Sequence, residues 1–338
     1  MSETLLPTMG VGSYAAPGWF TELRRHVRDD QLGEIDAREL IQDATRVVVD
    51  DQVDAGLDVI SDGEMGRQRF VFEVLGKLSN IERVPPKRRL GIAGYDKAPS
   101  FIASGAVVAK NGLGTVEEYL RTRAIVPDRP IKIALPGPLT FASYIGAGER
   151  SSEALIDELV AVVRDELLAL AKAGCEYLQL DEPGLAHTPH GLSFVDGAKA
   201  INRAYEDVPG RIAVHVCYGN NAGRPMSDRK LAPMMPALEI LSCDQLLLEF
   251  ATKQMSDVEL LGELGQTFDV AAGVIDVKNF YLESPEDVAE RIDTCLKHMP
   301  AERLAATCDC GFSALPRYLA RQKMQSLVDG AALVRGRL

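Results

Sequence analysis

The chain has 338 residues, of which 46% are hydrophobic and 25% are charged. This balance is typical of a folded globular protein and argues against a fibrous or disordered chain. The formal net charge of −12 would repel polyanions, so we expect neither nucleic acid nor an anionic membrane as a partner. The N-terminal region lacks a basic start followed by an apolar run, and no stretch is apolar enough to span a membrane, which predicts a cytoplasmic protein.

The predicted elements alternate between strand and helix along the chain. An N-terminal strand is predicted near residues 5–12. Apolar stripes predict helices over 38–56 and 153–173, and each is followed by a short apolar strand, at 57–61 and 176–180. This repeat of one helix-strand unit is typical of parallel βαβ folds.

Further apolar segments predict the remaining strands, at 131–135, 211–216, 244–249, 269–275 and 303–307. Two helix starts between them have capping signals: Ser256 with Glu259, and Ser284 followed by Pro285. About eight parallel strands separated by helices predict a (β/α)8 TIM barrel. We expect one catalytic domain over residues 1–338.

Residues 66–130 interrupt this alternation between the second and third strands. They contain several glycines and prolines and one predicted helix around 115–123. We expect an inserted elaboration near the barrel mouth and not a separate domain. Its basic cluster Lys87, Arg88 and Arg89 is typical of a solvated surface, with contact to an anionic substrate tail as the alternative.

Reactive side chains follow the predicted strands. In a (β/α)8 barrel the active site lies at the carboxyl ends of the strands. Those positions hold Ser13, Glu64, Asp181, Glu182, His215, Cys217, Glu249, Asp276 and Cys310. Strand ends do not need this much polar chemistry for stability, so the sequence predicts an active site at the barrel mouth.

Four of these positions predict a zinc site. His215 and Cys217 are two residues apart where a strand ends, so both side chains can point to the same side. With Glu249 and Cys310 they offer the nitrogen, sulfur and oxygen donors that Zn²⁺ binds in proteins. Two alternatives stay open: His215 and Cys217 could simply pack at the strand end, and Cys308 could take the place of Cys310.

Acidic residues are concentrated at the same predicted mouth, namely Asp62, Glu64, Asp181 and Glu182. So many carboxylates near one metal predict that the substrate carries a cationic group, such as an ammonium. For any single one of them the alternative is a helix N-cap, a role that acids often have after a strand.

The motifs at the strand ends occur in a specific order. They are Gly10-Val11-Gly12-Ser13, Asp62-Gly63-Glu64, Pro136-Gly137-Pro138-Leu139-Thr140, Asp181-Glu182-Pro183, His215-Val216-Cys217-Tyr218, Leu248-Glu249, Gly273-Val274-Ile275-Asp276 and Asp309-Cys310-Gly311. Together they resemble the catalytic barrel of cobalamin-independent methionine synthase. The likeness runs from Ser13 to Cys310 and so covers nearly the whole chain.

The resemblance implies a ligand set, a substrate and a reaction. It implies zinc held by His215, Cys217, Glu249 and Cys310, and homocysteine bound through its amino-acid part by Ser13, Glu64 and Asp181. The implied reaction is methyl transfer to the homocysteine thiol, which gives methionine. The likeness covers only the catalytic half of the two-domain family members, so the methyl donor is either a methylated folate or a methyl-carrying partner protein.

One position departs from the family pattern. Soon after the position of Asp276 the family has a histidine assigned to proton transfer toward the leaving group, whereas this sequence has Lys278. We therefore predict that Asp276 and Lys278 handle this proton.

Two other functions stay open on the sequence alone. Lys278 and the segment 223–232 resemble a short branch of the family that includes an epoxide-opening transferase acting on coenzyme M. The sulfonate of that thiol would be repelled by Glu64 and Asp181. The second alternative is a non-catalytic barrel with a structural zinc, which ligands from three distant strand ends argue against.

Overall fold

The computed structural model of the protein describes residues 4–28, 31–67, 70–85, 100–220 and 224–338. Its strands are β1 (Ser79–Val84), β2 (Ser100–Val108), β3 (Lys132–Pro136), β4 (Ile145–Gly146), β5 (Tyr177–Asp181), β6 (Arg211–Val216), β7 (Gln245–Glu249), β8 (Asp269–Ile275) and β9 (Leu304–Cys308). Its helices are α1 (Gly18–Arg28), α2 (Glu34–Ala55), α3 (Phe70–Leu75), α4 (Thr115–Ile125), α5 (Pro138–Ala142), α6 (Ser152–Lys172), α7 (Pro183–His187), α8 (Phe194–Tyr205), α9 (Met235–Leu238), α10 (Leu261–Leu264), α11 (Pro285–Leu296) and α12 (Arg317–Arg335). No helix within the described ranges is long and apolar enough to cross a membrane.

The centre of the fold is a closed ring of parallel strands. Strands β3, β5, β6, β7, β8 and β9 pair in this order in one sheet. Two short segments close the ring through parallel bridges, which join Thr8 to Ala306, Met9 to Val59 and Ile60 to Ile131. The predicted TIM barrel is therefore confirmed, with its first two strands reduced to short bridging segments.

The helices around the barrel bury the apolar faces that the sequence predicts. Helix α6 buries five large side chains completely: Leu155, Leu159, Val163, Leu167 and Leu170. Burying each such side chain stabilises the fold by about 1.5–3 kcal/mol. The helix begins after Ser151, whose hydroxyl accepts a hydrogen bond from the Ala154 amide. It ends just before Gly174, where a φ of 96° favours glycine.

One of the two predicted capping signals is confirmed and the other is wrong. Ser284 caps α11, and its hydroxyl accepts a hydrogen bond from the Asp287 amide at 3.1 Å. Ser256 caps no helix, because its hydroxyl donates to the Lys253 carbonyl instead. The next residue, Asp257, has a φ of 64° and its carboxylate pairs with the Lys253 ammonium. A short 3-10 turn, Val258–Leu260, begins after Asp257 without a side-chain cap.

The segment predicted as an elaboration supplies most of a small second sheet. Strands β1 and β2 pair antiparallel, and β4 adds to β2 in parallel. This sheet is joined to α6 through Glu158, whose carboxylate accepts a hydrogen bond from the Val107 amide at 2.9 Å. The basic cluster Lys87, Arg88 and Arg89 lies outside the described residues.

Candidate metal centre

Strands β6 and β9 bring three of the predicted ligands together. His215 lies near the end of β6, where it pairs with Asp181 of β5 and with Leu247 of β7. Cys217 follows directly after β6, and Cys310 lies two residues beyond β9. The ligand atoms of His215, Cys217 and Cys310 all lie within 4.8 Å of one another. These strand ends therefore form one compact cluster of nitrogen and sulfur donors.

The imidazole of His215 has one ring nitrogen occupied and one available. Nδ1 lies 3.3 Å from the Leu247 carbonyl oxygen, to which it donates in the tautomer that carries its proton there. Nε2 is buried and has no oxygen or nitrogen partner. A backbone contact of this kind orients histidine ligands in metal sites, because it leaves the second nitrogen with a free lone pair.

The two cysteines of the cluster interact with each other. A hydrogen bond with Cys217 holds the pKa of the Cys310 thiol well below its ordinary value, and contact with His215 lowers that pKa further. The same hydrogen bond and burial raise the pKa of Cys217. The site thus stabilises one thiolate before any ligand is considered, and thiolate is the form that binds metals.

Glu249 lies at the end of β7 and does not belong to the three-donor cluster. Its Oε2 accepts a hydrogen bond from the Lys278 ammonium at 2.5 Å, and its Oε1 is buried without a partner. Burial raises the pKa of this carboxyl group, Lys278 lowers it, and the nearby Cys310 raises it. The fourth predicted ligand is therefore close to the cluster but held in an ion pair.

The donor set fits a zinc ion. An imidazole nitrogen, two thiolate sulfurs and a carboxylate oxygen are zinc ligands in proteins. His215 Nε2 and Glu249 Oε1 are buried lone-pair atoms without partners. Such atoms are costly when nothing satisfies them, and a bound cation would satisfy both.

The predicted ammonium site contains two buried carboxylates. Asp181 ends β5 and accepts a hydrogen bond from Gln179 at 2.7 Å. Glu64 lies 3.7 Å from the guanidinium of Arg67 and has a φ of 58°. Burial raises the pKa of Glu64, Arg67 lowers it, and Asp181 raises it again. The charge of Asp181 thus acts on Glu64, and a cation near both carboxylates would be stabilised by both.

Ser13 lies directly against the loop that carries Cys310. Its hydroxyl oxygen occupies the space in which a Cβ on Gly311 would stand, at only 1.9 Å from that position. Its carbonyl accepts a hydrogen bond from the Phe312 amide at 2.8 Å. Glycine at position 311 thus allows Ser13 to approach the metal cluster.

Glu182 has a different role from the one expected for the acidic cluster. Its carboxylate accepts hydrogen bonds from the amides of Leu139 and Thr140, each at 3.0 Å, at the start of α5. A Cβ on Gly137 would lie only 2.0 Å from Glu182 Oε1, so glycine there makes room for this carboxylate. Glu182 is therefore a helix cap, and the expectation that it meets a substrate ammonium is wrong.

Asp276 and Lys278 lie in the turn that follows β8. Asp276 Oδ1 accepts a hydrogen bond from the Lys278 amide at 2.8 Å and lies 2.8 Å from the Thr252 hydroxyl. Asp276 Oδ2 accepts from Asn279 at 2.5 Å. Both carboxylate oxygens are thus occupied, and they fix the turn from which Lys278 reaches Glu249.

A family model described as the catalytic domain of cobalamin-independent synthase matches residues 6–333. The chain belongs to this family. The methionine synthase of Saccharolobus solfataricus is 30% identical over 335 residues, which cover 99% of this chain and 96% of that protein. The methionine synthase of Sulfurisphaera tokodaii is also 30% identical and is covered to 94%.

A solved relative supports the same assignment. The B12-independent methionine synthase from Shewanella sp. W3-18-1, in complex with selenomethionine, superposes with a TM-score of 0.83 at 28% identity, covering 99% of both chains. The resemblance inferred from the strand-end motifs is thereby confirmed, and so is the transferase class: the chain is a methyltransferase of this family.

Sequence reasoning missed Arg67 in this family member. The guanidinium is buried, donates twice to Glu118 at 2.9 and 2.6 Å, and donates to the Ala134 carbonyl at 2.6 Å. It lies in a segment assigned to the elaboration, where no motif marks it. It lies 3.7 Å from Glu64, so a cation of the protein itself stands beside one carboxylate of the predicted ammonium site.

Asp309 was part of a recognised motif but had no predicted role. Its carboxylate accepts hydrogen bonds from the amides of Phe250 and Ala251 at 2.9 Å and from that of Thr252 at 2.5 Å. These amides directly follow Glu249, and Asp309 directly precedes Cys310. Asp309 therefore fixes the loops of these two predicted ligands relative to each other.

Proposed function

We propose that the chain is a zinc-dependent methyltransferase that methylates the thiol of homocysteine to give methionine. The observation that carries this proposal is the cluster of His215, Cys217 and Cys310, whose ligand atoms lie within 4.8 Å of one another at the mouth of a barrel. The names of the relatives from Saccharolobus solfataricus and Shewanella support the same reaction.

His215, Cys217 and Cys310 would hold the zinc ion, with Glu249 as the fourth ligand. Zinc, when bound, favours the thiolate form of a substrate thiol and orients it for attack. His215 is already oriented by its contact with the Leu247 carbonyl. The same proposal treats residues 1–338 as one catalytic domain, with 66–130 as an elaboration near the mouth.

The amino-acid part of homocysteine would be bound by Glu64, Asp181 and Ser13. Two buried carboxylates offer a site for the ammonium group, because a cation relieves their mutual repulsion. Ser13 offers a hydroxyl group beside the loop of Cys310. The relative from Shewanella was solved with selenomethionine, an analogue of the proposed product, which supports an amino-acid ligand.

Methyl transfer forms a sulfur-carbon bond on the substrate and breaks the bond between the methyl group and its donor, whose leaving group takes up a proton. The two predicted candidates for this proton transfer are Asp276, whose two carboxylate oxygens both accept hydrogen bonds, and Lys278, whose ammonium is paired with Glu249. Two donor classes fit the proposal, a methylated folate and a methyl-carrying partner protein.

The test is to measure zinc content and then methyl transfer, with homocysteine and coenzyme M as alternative acceptors. We expect about one zinc per chain and methylation of homocysteine by one of the two donor classes. We expect coenzyme M to be inactive, because its sulfonate would face Glu64 and Asp181. Methylation of coenzyme M alone would contradict the substrate, and a purified chain that binds no zinc would contradict the whole proposal.

A further inference from the structure

A buried ion pair lies at the edge of the metal centre. The Lys278 ammonium donates to Glu249 Oε2 at 2.5 Å, and the side chains are only 2% and 0% exposed. The other carboxylate oxygen, Glu249 Oε1, is buried without a partner. One half of the carboxylate thus binds a cation of the protein itself, while the other half is available to a metal.

The position of this ammonium is fixed relative to the metal donors. The Lys278 amide donates to Asp276 Oδ1 at 2.8 Å, and the Thr252 hydroxyl lies 2.8 Å from the same oxygen. That hydroxyl also lies 2.6 Å from Asp309 Oδ2, and Asp309 directly precedes Cys310. Hydrogen bonds through Asp276, Thr252 and Asp309 thus connect the backbone at Lys278 to the loop that carries Cys310.

The charges of the donor set explain why a cation is needed here. When the thiols of Cys217 and Cys310 and the carboxyl group of Glu249 are ionised, they carry three negative charges against the two positive charges of zinc. A substrate thiolate would add a fourth negative charge in a buried site. Uncompensated buried charge is strongly unfavourable, and the Lys278 ammonium offsets the charge of Glu249, with which it is paired.

We propose that Lys278 is a positioning residue that makes Glu249 an exchangeable metal ligand. By pairing with Oε2, the ammonium would weaken Glu249 as a zinc ligand through Oε1, and it would stabilise the carboxylate if a substrate thiolate took its place on the metal. This inference rests on the proposed zinc-dependent function. It predicts that loss of the ammonium raises the affinity for zinc and lowers the affinity for the thiol.

The test uses Lys278→Met and the charge-conserving Lys278→Arg. Zinc affinity is measured by competition with a chelator, and homocysteine affinity by titration of the zinc-loaded protein. We expect Lys278→Met to bind zinc about tenfold more tightly and homocysteine about tenfold more weakly, because a Glu249 carboxylate without its ammonium partner is a stronger zinc ligand. We expect Lys278→Arg to stay close to the unmodified protein in both measurements.

A Glu249→Gln background separates this role from a merely structural one. The four proteins form a double-mutant cycle. If Lys278 acts through Glu249, adding Lys278→Met to Glu249→Gln leaves the affinities for zinc and for homocysteine unchanged within experimental error. If Lys278→Met weakens zinc and homocysteine together, the inference is wrong although the proposed function stands. Lys278→Gln gives the same comparison if the methionine variant does not fold. If the unmodified protein binds no zinc, the proposed function itself is wrong. A change that is confined to the variants does not affect the proposed function.

Discussion

Charged groups at the two ends of the barrel differ in whether the protein itself supplies their partners. At the amino ends of the strands, Asp58 accepts hydrogen bonds from the amide and hydroxyl of Thr8, each at 2.8 Å, and from Arg335 at 2.5 Å. Asp269, at the start of β8, is paired with Arg211 at 2.7 Å. Every one of these contacts is made within the protein.

At the carboxyl ends of the strands, some buried polar atoms have no hydrogen-bond partner within the protein. His215 Nε2, Glu249 Oε1 and Asp62 Oδ2 are buried atoms without hydrogen-bond partners. Among the described residues, Asp58 and Asp269 have no such atom. Buried polar groups are normally satisfied, so the unsatisfied ones mark the place where a bound group completes the structure. We propose that the amino ends stabilise the barrel and that the carboxyl ends bind the metal and the substrate.

Removal of a proposed metal ligand should have the largest effect. We expect Cys217→Ala to lower zinc affinity on the order of 1000-fold, because one of the donors to the metal is lost. Unfolding of the metal-free protein in urea should change little by comparison. Unchanged zinc affinity in a chelator competition would show that the cluster is not the metal site.

A substitution at the amino ends of the strands should lower stability and leave zinc affinity unchanged. We expect Asp58→Ala to lower the free energy of unfolding by about 2 kcal/mol, because the Thr8 and Arg335 donors lose their acceptor. Zinc affinity should stay the same. Asp293→Ala is the matched control, since its pair with Arg337 is exposed and should contribute at most about 0.5 kcal/mol. A loss of zinc binding in Asp58→Ala would contradict the division between the two ends.

Substitution of Asp309 tests whether its hydrogen bonds to the loop after Glu249 matter for metal binding. We expect Asp309→Ala to weaken zinc binding about tenfold, because the loops of Glu249 and Cys310 are no longer fixed to each other. Glu182→Ala is the control, since Glu182 also accepts backbone hydrogen bonds but at the start of α5. The two variants should differ in metal affinity in the chelator competition. Equal affinities would show that Asp309 serves only stability.

Lys132 is a buried ionisable group inside the barrel. Its ammonium donates to the Gly10 carbonyl at 2.9 Å, and burial lowers its pKa from 10.5 to about 7. Above pH 7 the unfolded chain therefore binds more protons than the folded one, so stability rises with pH up to about 10.5.

The corresponding measurement compares the unmodified protein with Lys132→Met in urea at two pH values. We expect the unmodified protein to gain about 1 kcal/mol relative to the variant between pH 7 and pH 8. A difference in stability that is constant over this range would show that Lys132 stays charged in the folded protein.

The sequence predicted those parts of the fold that local patterns determine. The buried stripe of α6, from Leu155 to Leu170, repeats at helical spacing, and Ser284 caps α11 through contacts within four residues. Ser256 has the same local signal, but the segment around Asp257 is held by its contact with Lys253. A capping pattern cannot show such a competing contact.

The candidate site could be predicted only in part for a related reason. Strand ends are visible in the sequence, and the structure places His215, Cys217 and Cys310 together there. The pair of Lys278 with Glu249 joins two loops that are distant in sequence, and no spacing rule predicts it. The roles of these residues as ligands and charge partners stay predictions until they are measured.

X-ray absorption at the zinc edge, with and without homocysteine, tests the proposed metal centre most directly. We expect zinc bound by two sulfur atoms in the protein alone and by three after homocysteine is added, and Cys217→Ala should have one sulfur ligand fewer. A zinc environment that contains no cysteine sulfur, or that does not change when homocysteine is added, would contradict this proposal.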